Sequence, residues 1–203
     1  MKQFYLSIIL LTLLSCKREN PNFTTDESFR NIQIDKGWKI YKNEKVNALL
    51  PSNWKPKVEN DLILMVPIDK KQNLFYAVLE HNIVEVGSIK SYVKNVFKEV
   101  SEKHNDLKYT INRVMFTNNK TCYLLTLYFS ENGHLYKLYN ALYESQGKIY
   151  DFVYRTINNS ATDKTNYETF IGVMFTLKYN NINVIKGESD FLKKAENIKY
   201  EDL

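Results

Sequence analysis

Cysteine, histidine, proline and glycine are all scarce in this 203-residue chain, at two, three, four and six residues. Two cysteines cannot build a disulfide scaffold or a four-ligand structural zinc site. So little glycine and proline excludes a collagen-like repeat and long low-complexity linkers. A Gly-rich phosphate loop, a Gly-x-Ser-x-Gly elbow and a His-Glu-x-x-His motif are all missing. No run of Lys or Arg exceeds two residues, and a formal charge of +5 over this length is a weak field. The basic residues are 24 Lys against 4 Arg, beside 23 Asn, a bias that fits AT-rich codon usage better than nucleic-acid binding. What is present is ordinary globular material: 44% hydrophobic, 14% aromatic and 25% charged residues. That composition rules out wholesale disorder, and the length suits one domain with tails.

The amino-terminal sixteen residues carry the first positive signal. Lys2 gives a basic start, and Phe4 to Leu14 is uncharged. At ~1.5 Å per residue that run crosses roughly half of a ~30 Å hydrocarbon core, too little for a membrane span and right for a signal-peptide core. Ser15 and Cys16 follow, and then the polar break Lys17-Arg18-Glu19-Asn20. Leu13-Leu14-Ser15-Cys16 resembles the lipobox of bacterial lipoproteins: a small residue before the cut and a thiol at the bilayer surface to accept lipid. The resemblance implies a diacylglycerol on Cys16, cleavage after Ser15 and stable anchoring, since two or three chains at ~0.8 kcal/mol per buried CH₂ do not let go. Lys rather than Asp at position 17 favours the outer membrane, by analogy with enterobacterial sorting. Residues 16–36 read as a polar tether.

Beyond the tether the pattern alternates like strands, with two helical stretches. Residues 38–41 and 46–50 make a hairpin closed by Pro51-Ser52-Asn53-Trp54, and 62–66 and 74–84 are further strands. Ser88 caps a helix over 88–103, whose apolar stripe is Ile89, Tyr92, Val93, Val96, Phe97 and Val100. Four strands follow as a meander, at 108–117, 121–130, 135–145 and 149–157, with turns short enough for hairpins. Thr165-Asn166-Tyr167-Glu168 matches a capping box and predicts a closing helix with Phe170, Ile171, Met174, Phe175 and Leu177 buried. The tail 182–203 is polar, either a short helix or loose.

The meander strands are apolar on both faces. Tyr123, Leu125, Leu127 and Phe129 alternate with Cys122, Leu124, Thr126 and Tyr128. A free-standing antiparallel sheet would keep one polar face, so both sides of this one should be covered. The expected fold is therefore α+β, an antiparallel β-sheet flanked by helices on both faces. The element order, with Leu50-Pro51-Ser52-Asn53-Trp54 in the first hairpin and Gln146-Gly147-Lys148-Ile149-Tyr150 in the last, resembles PsbP-like domains. That resemblance spans residues 37–180 and implies an α/β/α sandwich whose members are mostly accessory, assembly or binding proteins. It leaves residues 1–15 as the signal peptide and 181–203 as a polar tail.

Candidate chemistry is thin. Glu80 and His81 are neighbours on one strand and so point to opposite faces. His104 ends a helix and His134 sits in a turn. Cys122 is flanked by apolar residues, as a buried inert thiol would be. Asp151 and Arg155 share a strand face and read as a structural charge pair. The tyrosines at 136, 139, 143, 150 and 154 read first as cross-strand packing. A sharper reading makes Tyr136, Tyr139 and Tyr143 an aromatic binding surface for a peptide, glycan or partner protein. The expectation is a lipid-anchored, non-enzymatic binding or assembly module of the bacterial cell envelope. It has no cofactor or metal, meets the membrane through its lipid, takes an envelope protein as its partner and binds no nucleic acid. The alternatives are a small-ligand carrier and a metal-dependent hydrolase built on His81 or His134.

Overall fold

A computed structural model describes residues 37–59, 62–68, 74–116, 119–185 and 192–203. Strands β1 (Trp38–Lys42), β2 (Val46–Pro51), β3 (Trp54–Glu59), β4 (Leu62–Pro67) and β5 (Phe75–Asn82) come first. A single helical turn α1 (Ile83–Val86) and helix α2 (Ile89–Lys103) follow. Then come β6 (Lys108–Phe116), β7 (Thr121–Glu131), β8 (His134–Ser145), β9 (Lys148–Ile157) and helix α3 (Ser160–Thr176). Two short strands, β10 (Lys178–Tyr179) and β11 (Ile182–Asn183), lead to β12 (Leu192–Ile198) and a 3₁₀ turn at Tyr200–Asp202.

The strands form two antiparallel sheets. The large one has eight strands in the order β12-β6-β7-β8-β9-β5-β4-β3, and the small one has four in the order β1-β2-β10-β11. The β7–β8, β8–β9 and β10–β11 connections are two-residue turns: Asn132-Gly133, Gln146-Gly147 and Asn180-Asn181. Both residues of each turn have positive φ, the tight hairpin geometry whose twist matches that of the strands.

Burial divides the large sheet by residue parity. Tyr139, Ala141 and Tyr143 of β8 and Tyr150, Phe152 and Tyr154 of β9 share one core with Val46, Ala48 and Leu50 of β2 and with Phe170, Val173 and Met174 of α3. Tyr123, Leu125 and Leu127 of β7, Leu142 of β8 and Ile149 of β9 share the other with Val93 of α2 and Leu203. Helix α2 starts where Ser88 places it, with the Ser88 hydroxyl accepting from Ser91 N at 3.1 Å.

Three elements differ from the sequence reading. Helix α3 begins at Ser160, not at the Thr165 box. Asn159 is its cap, accepting from Ala161 N at 3.0 Å. The extra turn holds Asp163, which accepts from Lys137 Nζ at 2.5 Å and Tyr139 Oη at 2.6 Å, so contacts with β8 draw the helix start forward. Residues 54–59 form β3 despite Pro56. As an edge strand it can present the missing N–H outward, and Pro there blunts further pairing. The tail 182–203, expected to be a short helix or loose, supplies β11 and β12. Strand β12 pairs with β6 in the register Ile198↔Ile111 and Ala195↔Val114, with a cross-strand ion pair between Arg113 and Glu196.

Candidate functional site

Strands β5 and β9 carry ionisable residues on both faces of the large sheet. Leu79 and Leu142 sit opposite Asp151 in the register, so an acid stands in an apolar row. Asp151 is 4% exposed. Its Oδ1 accepts from Asn140 Nδ2, and its Oδ2 accepts from the Tyr92 hydroxyl of α2 at 3.0 Å. His81 Nε2 lies 2.7 Å from that hydroxyl. A phenol has one proton. With it given to Asp151, the Tyr92 oxygen accepts from His81, which places a hydrogen on Nε2. Burial raises the Asp151 carboxyl to about 6, against the opposing pull of the Tyr92 and Asn140 hydrogen bonds. Burial, then the Asp151 charge, pushes the Tyr92 phenol far up. Protonating Asp151 would reverse the chain, so that Asp151 donates to Tyr92 and Tyr92 to His81. Asn140 Oδ1 is buried and has no hydrogen-bond partner among the described residues. The arrangement can store and pass one proton between a strand carboxylate and an imidazole through a helix phenol.

On the opposite face a small cleft opens where the β10–β11 hairpin lies over the end of β5 and β9. It has a volume of about 80 Å³ and is lined by Glu80, Tyr150, Lys148, Ser145, Gln146 and residues of the β10–β11 hairpin. A narrower space of about 10 Å³ beneath it adds Ile63, Val78 and Leu177 to Glu80, Tyr150 and Tyr179. Glu80 faces Tyr150 across the β5–β9 pair, and Asn82 faces Lys148. Glu80 Oε1 accepts from Lys148 Nζ. The Glu80 side chain is 11% exposed and that of Lys148 45%. Glu80 Oε2 is buried, and the Tyr150 phenol beside it hydrogen-bonds to the Glu80 carboxylate. Burial and the adjacent Glu80 carboxylate raise the Tyr150 phenol, which therefore stays an O–H donor at any physiological pH.

The residues singled out from the sequence fall in scattered places. Cys16, with the expected signal peptide (1–15) and tether (16–36), lies outside the described residues. Tyr136, Tyr139 and Tyr143 are 3%, 3% and 0% exposed, so they do not make a surface. They also divide between the faces: Tyr139 and Tyr143 join the α3 core, while Tyr136 lies under the Arg155 guanidinium at 3.9 Å. Period-two alternation separates position 136 from 139 and 143. Asp151 and Arg155 do not pair with each other. Arg155 binds Glu131, and Asp151 binds Tyr92 and Asn140. Cys122 is buried, and burial pushes its thiol up to about 12. His104 stacks on Phe129 at 4.0 Å between ring centroids. Among the described residues, no group of three His, Cys, Asp or Glu converges to hold a metal. Sequence reasoning placed Glu80 and His81 on opposite faces, and did not find their partners. The one available signal was a charged pair ending the apolar run of β5.

No protein-family model and no curated protein matches the chain. Solved structures do resemble it. The cyanobacterial PsbP protein CyanoP of Synechocystis is 12% identical, with 70% of this chain and 92% of that one covered and a TM-score of 0.48. A Pseudomonas aeruginosa protein of unknown function, described as a putative regulator, is 10% identical over 68% of this chain and 94% of its own, with a TM-score of 0.46. LpqN of Mycobacterium tuberculosis, described as involved in cell envelope biogenesis, is 12% identical over 78% of this chain and 98% of its own, with a TM-score of 0.39. At this level of identity and superposition no residue role carries over to this chain.

Proposed function

We propose that this chain is a lipid-anchored, non-enzymatic binding or assembly module of the bacterial cell envelope, on a PsbP-like α/β/α sandwich. The observation that carries the address is Leu13-Leu14-Ser15-Cys16 after an uncharged run and before a polar break. The sandwich reading rests on alternate residues of β7, β8 and β9 packing toward α3 on one side and α2 on the other. Lipid on Cys16 holds the domain at the outer membrane, and the polar tether lets it reach a partner. Intact mass of the detergent-extracted protein tests the anchor. Two or three acyl chains are expected on the wild type, and none on Cys16→Ser, which should leave the membrane fraction. A wild type without added lipid mass sinks the reading.

The small-ligand carrier is the second reading, and the cleft at Glu80 favours it. A carrier needs a recess with a few placed polar groups over an apolar floor; Glu80, Lys148 and Tyr150 line one of about 80 Å³, room for a few water-sized groups, beside Ile63, Val78 and Leu177. Native mass spectrometry of the purified protein should show a co-purified small molecule.

A further inference from the structure

We propose that helix α2 is a proton-operated flap: a proton on the Asp151 carboxyl latches it to the large sheet, and loss of that proton lets it lift about Gly87. Asp151 is 4% exposed and stands in an apolar row between Leu79 and Leu142. The helix reaches it through the Tyr92 hydroxyl. Val93 is fully buried, while Ile89, Phe97 and Val100 are only half-buried, so α2 rests on few apolar anchors. Gly87, at φ +85°, joins α2 to α1, and His104 begins the turn from its far end into β6. The helix contributes no rung to either sheet, so it can lift while β5, β9 and β8 stay paired. Lifting bares Leu142 and Ile149 and brings water to Asp151.

The groups around the carboxyl leave its charge to the proton. On α2, Glu99 acts on Tyr92, and Lys90, Lys94 and Lys98 are exposed to solvent, as is Glu85 of α1. On β5, His81 reaches the Tyr92 oxygen. On β8, Asn140 is neutral, and Glu144 lies four residues along the same face. On β9 itself, Arg155 stands about 13 Å along the strand and pairs with Glu131. Beyond Tyr123 of β7, Arg113 of β6 is three strands and about 14 Å away, and it pairs with Glu196. No Lys or Arg among the described residues therefore pairs with Asp151.

A carboxylate held out of water without a cation costs far more than a neutral carboxyl. The protonated form suits the closed helix, and the ionised form suits the open, hydrated one. Closed, burial holds the carboxyl at about 6 against the Tyr92 and Asn140 hydrogen bonds; open, it returns to about 4. Opening thus becomes easier as pH rises through that window, and levels off above it. Tyr92 can give or accept a hydrogen bond, so it holds Asp151 in either state of the closed helix.

The test is hydrogen exchange of the full chain in detergent, read by mass spectrometry and corrected for the pH dependence of intrinsic exchange. Peptides from Ile89–Lys103 report the flap, and those from Ser160–Thr176 report opening of the whole domain. Amides of α2 are expected to open more often than those of α3, and about twentyfold more often at pH 7.5 than at pH 4.5. Asp151→Asn should remove that pH dependence. His81→Gln should keep it, because the carboxyl and not the imidazole holds the proton that latches the helix. Tyr92→Phe takes a hydrogen bond from the ionised carboxyl and should move the levelling-off to higher pH. Should Asp151→Asn not fold, the Tyr92→Phe shift and the His81→Gln profile decide the matter. Exchange in α2 no faster than in α3 overturns the proposal, since the helix would then leave only with the whole domain. So does opening that ignores pH in the wild type, or a pH dependence that survives Asp151→Asn or vanishes in His81→Gln.

Discussion

The two faces of the large sheet are drawn from alternate residues of the same strands, yet they are built on different principles. The α3 face is closed by aromatics. Tyr76 stacks on Tyr154 with centroids 5.7 Å apart, Tyr139 stacks on Phe170 at 5.5 Å, and the Tyr76 hydroxyl donates to Phe170 O at 3.0 Å. Helix α3 buries five residues there, beneath both sheets. The α2 face is lighter. Val93 is the one residue of α2 that is fully buried. What adds to its attachment is Tyr92, wedged between Asp151 and His81. One face thus fills its interior with packing. The other admits an acid into the interior and is left sensitive to protons.

The comparison can be broken in several ways, beginning with the largest effect. Phe152→Ala on the aromatic face should cost about 3–5 kcal/mol in chemical denaturation, the range for emptying a fully packed aromatic site. Tyr143→Ala should behave alike, and a partner-binding loss without a stability loss would restore the surface reading of that residue. The acid comes next. Below about pH 4 Asp151 is protonated whether the chain is folded or not. Between about pH 4 and 6 the unfolded chain ionises first, so stability should fall as pH rises. The whole fall should be about 3 kcal/mol, since each pH unit between the unfolded and folded pKa contributes ~1.4 kcal/mol. Asp151→Asn should flatten that window. Asp163 does not mask it, because hydrogen bonds from Lys137 and Tyr139 hold that carboxyl low and its contribution is lost only as pH falls below about 4.

Smaller effects sharpen the contrast. Tyr92→Phe strips one donor from the buried Asp151 Oδ2 and should cost about 1–3 kcal/mol, more at pH 8 than at pH 5. Val93→Ala loses two methyl groups and should cost about 2 kcal/mol, independent of pH. At the foot of the scale, Asn159→Ala should cost about 1 kcal/mol as a lost helix cap. Thr165→Ala, a change inside the helix and away from its cap, should stay within about 0.5 kcal/mol.

Elements governed by neighbours in sequence were legible. Ser88 and the stripe from Ile89 to Val100 announced α2 nearly to the residue, because a cap and a 3.6-residue period are local. The meander was legible for the same reason, through alternation and short turns. Strand β3 was hidden by Pro56, and only its place at a sheet edge makes that proline harmless. The Thr165 box misled because 158–166 offers several cap-competent side chains, and the choice among them was made by Lys137 and Tyr139 on a distant strand.

What the order of residues determined alone is the two helices, the four-strand meander and the two-sided apolar character of the central strands. Each follows from interactions within a dozen residues. Tertiary structure decided the rest: that the tail closes the sheet edge at β6, that Tyr136 parts from Tyr139 and Tyr143, that Asp151 meets Tyr92 and His81, and that Glu80 and Lys148 face a cleft. Those outcomes depend on register between strands as far apart as Ile111 and Ile198, and pairing of that range is set by which burial the whole chain can satisfy at once.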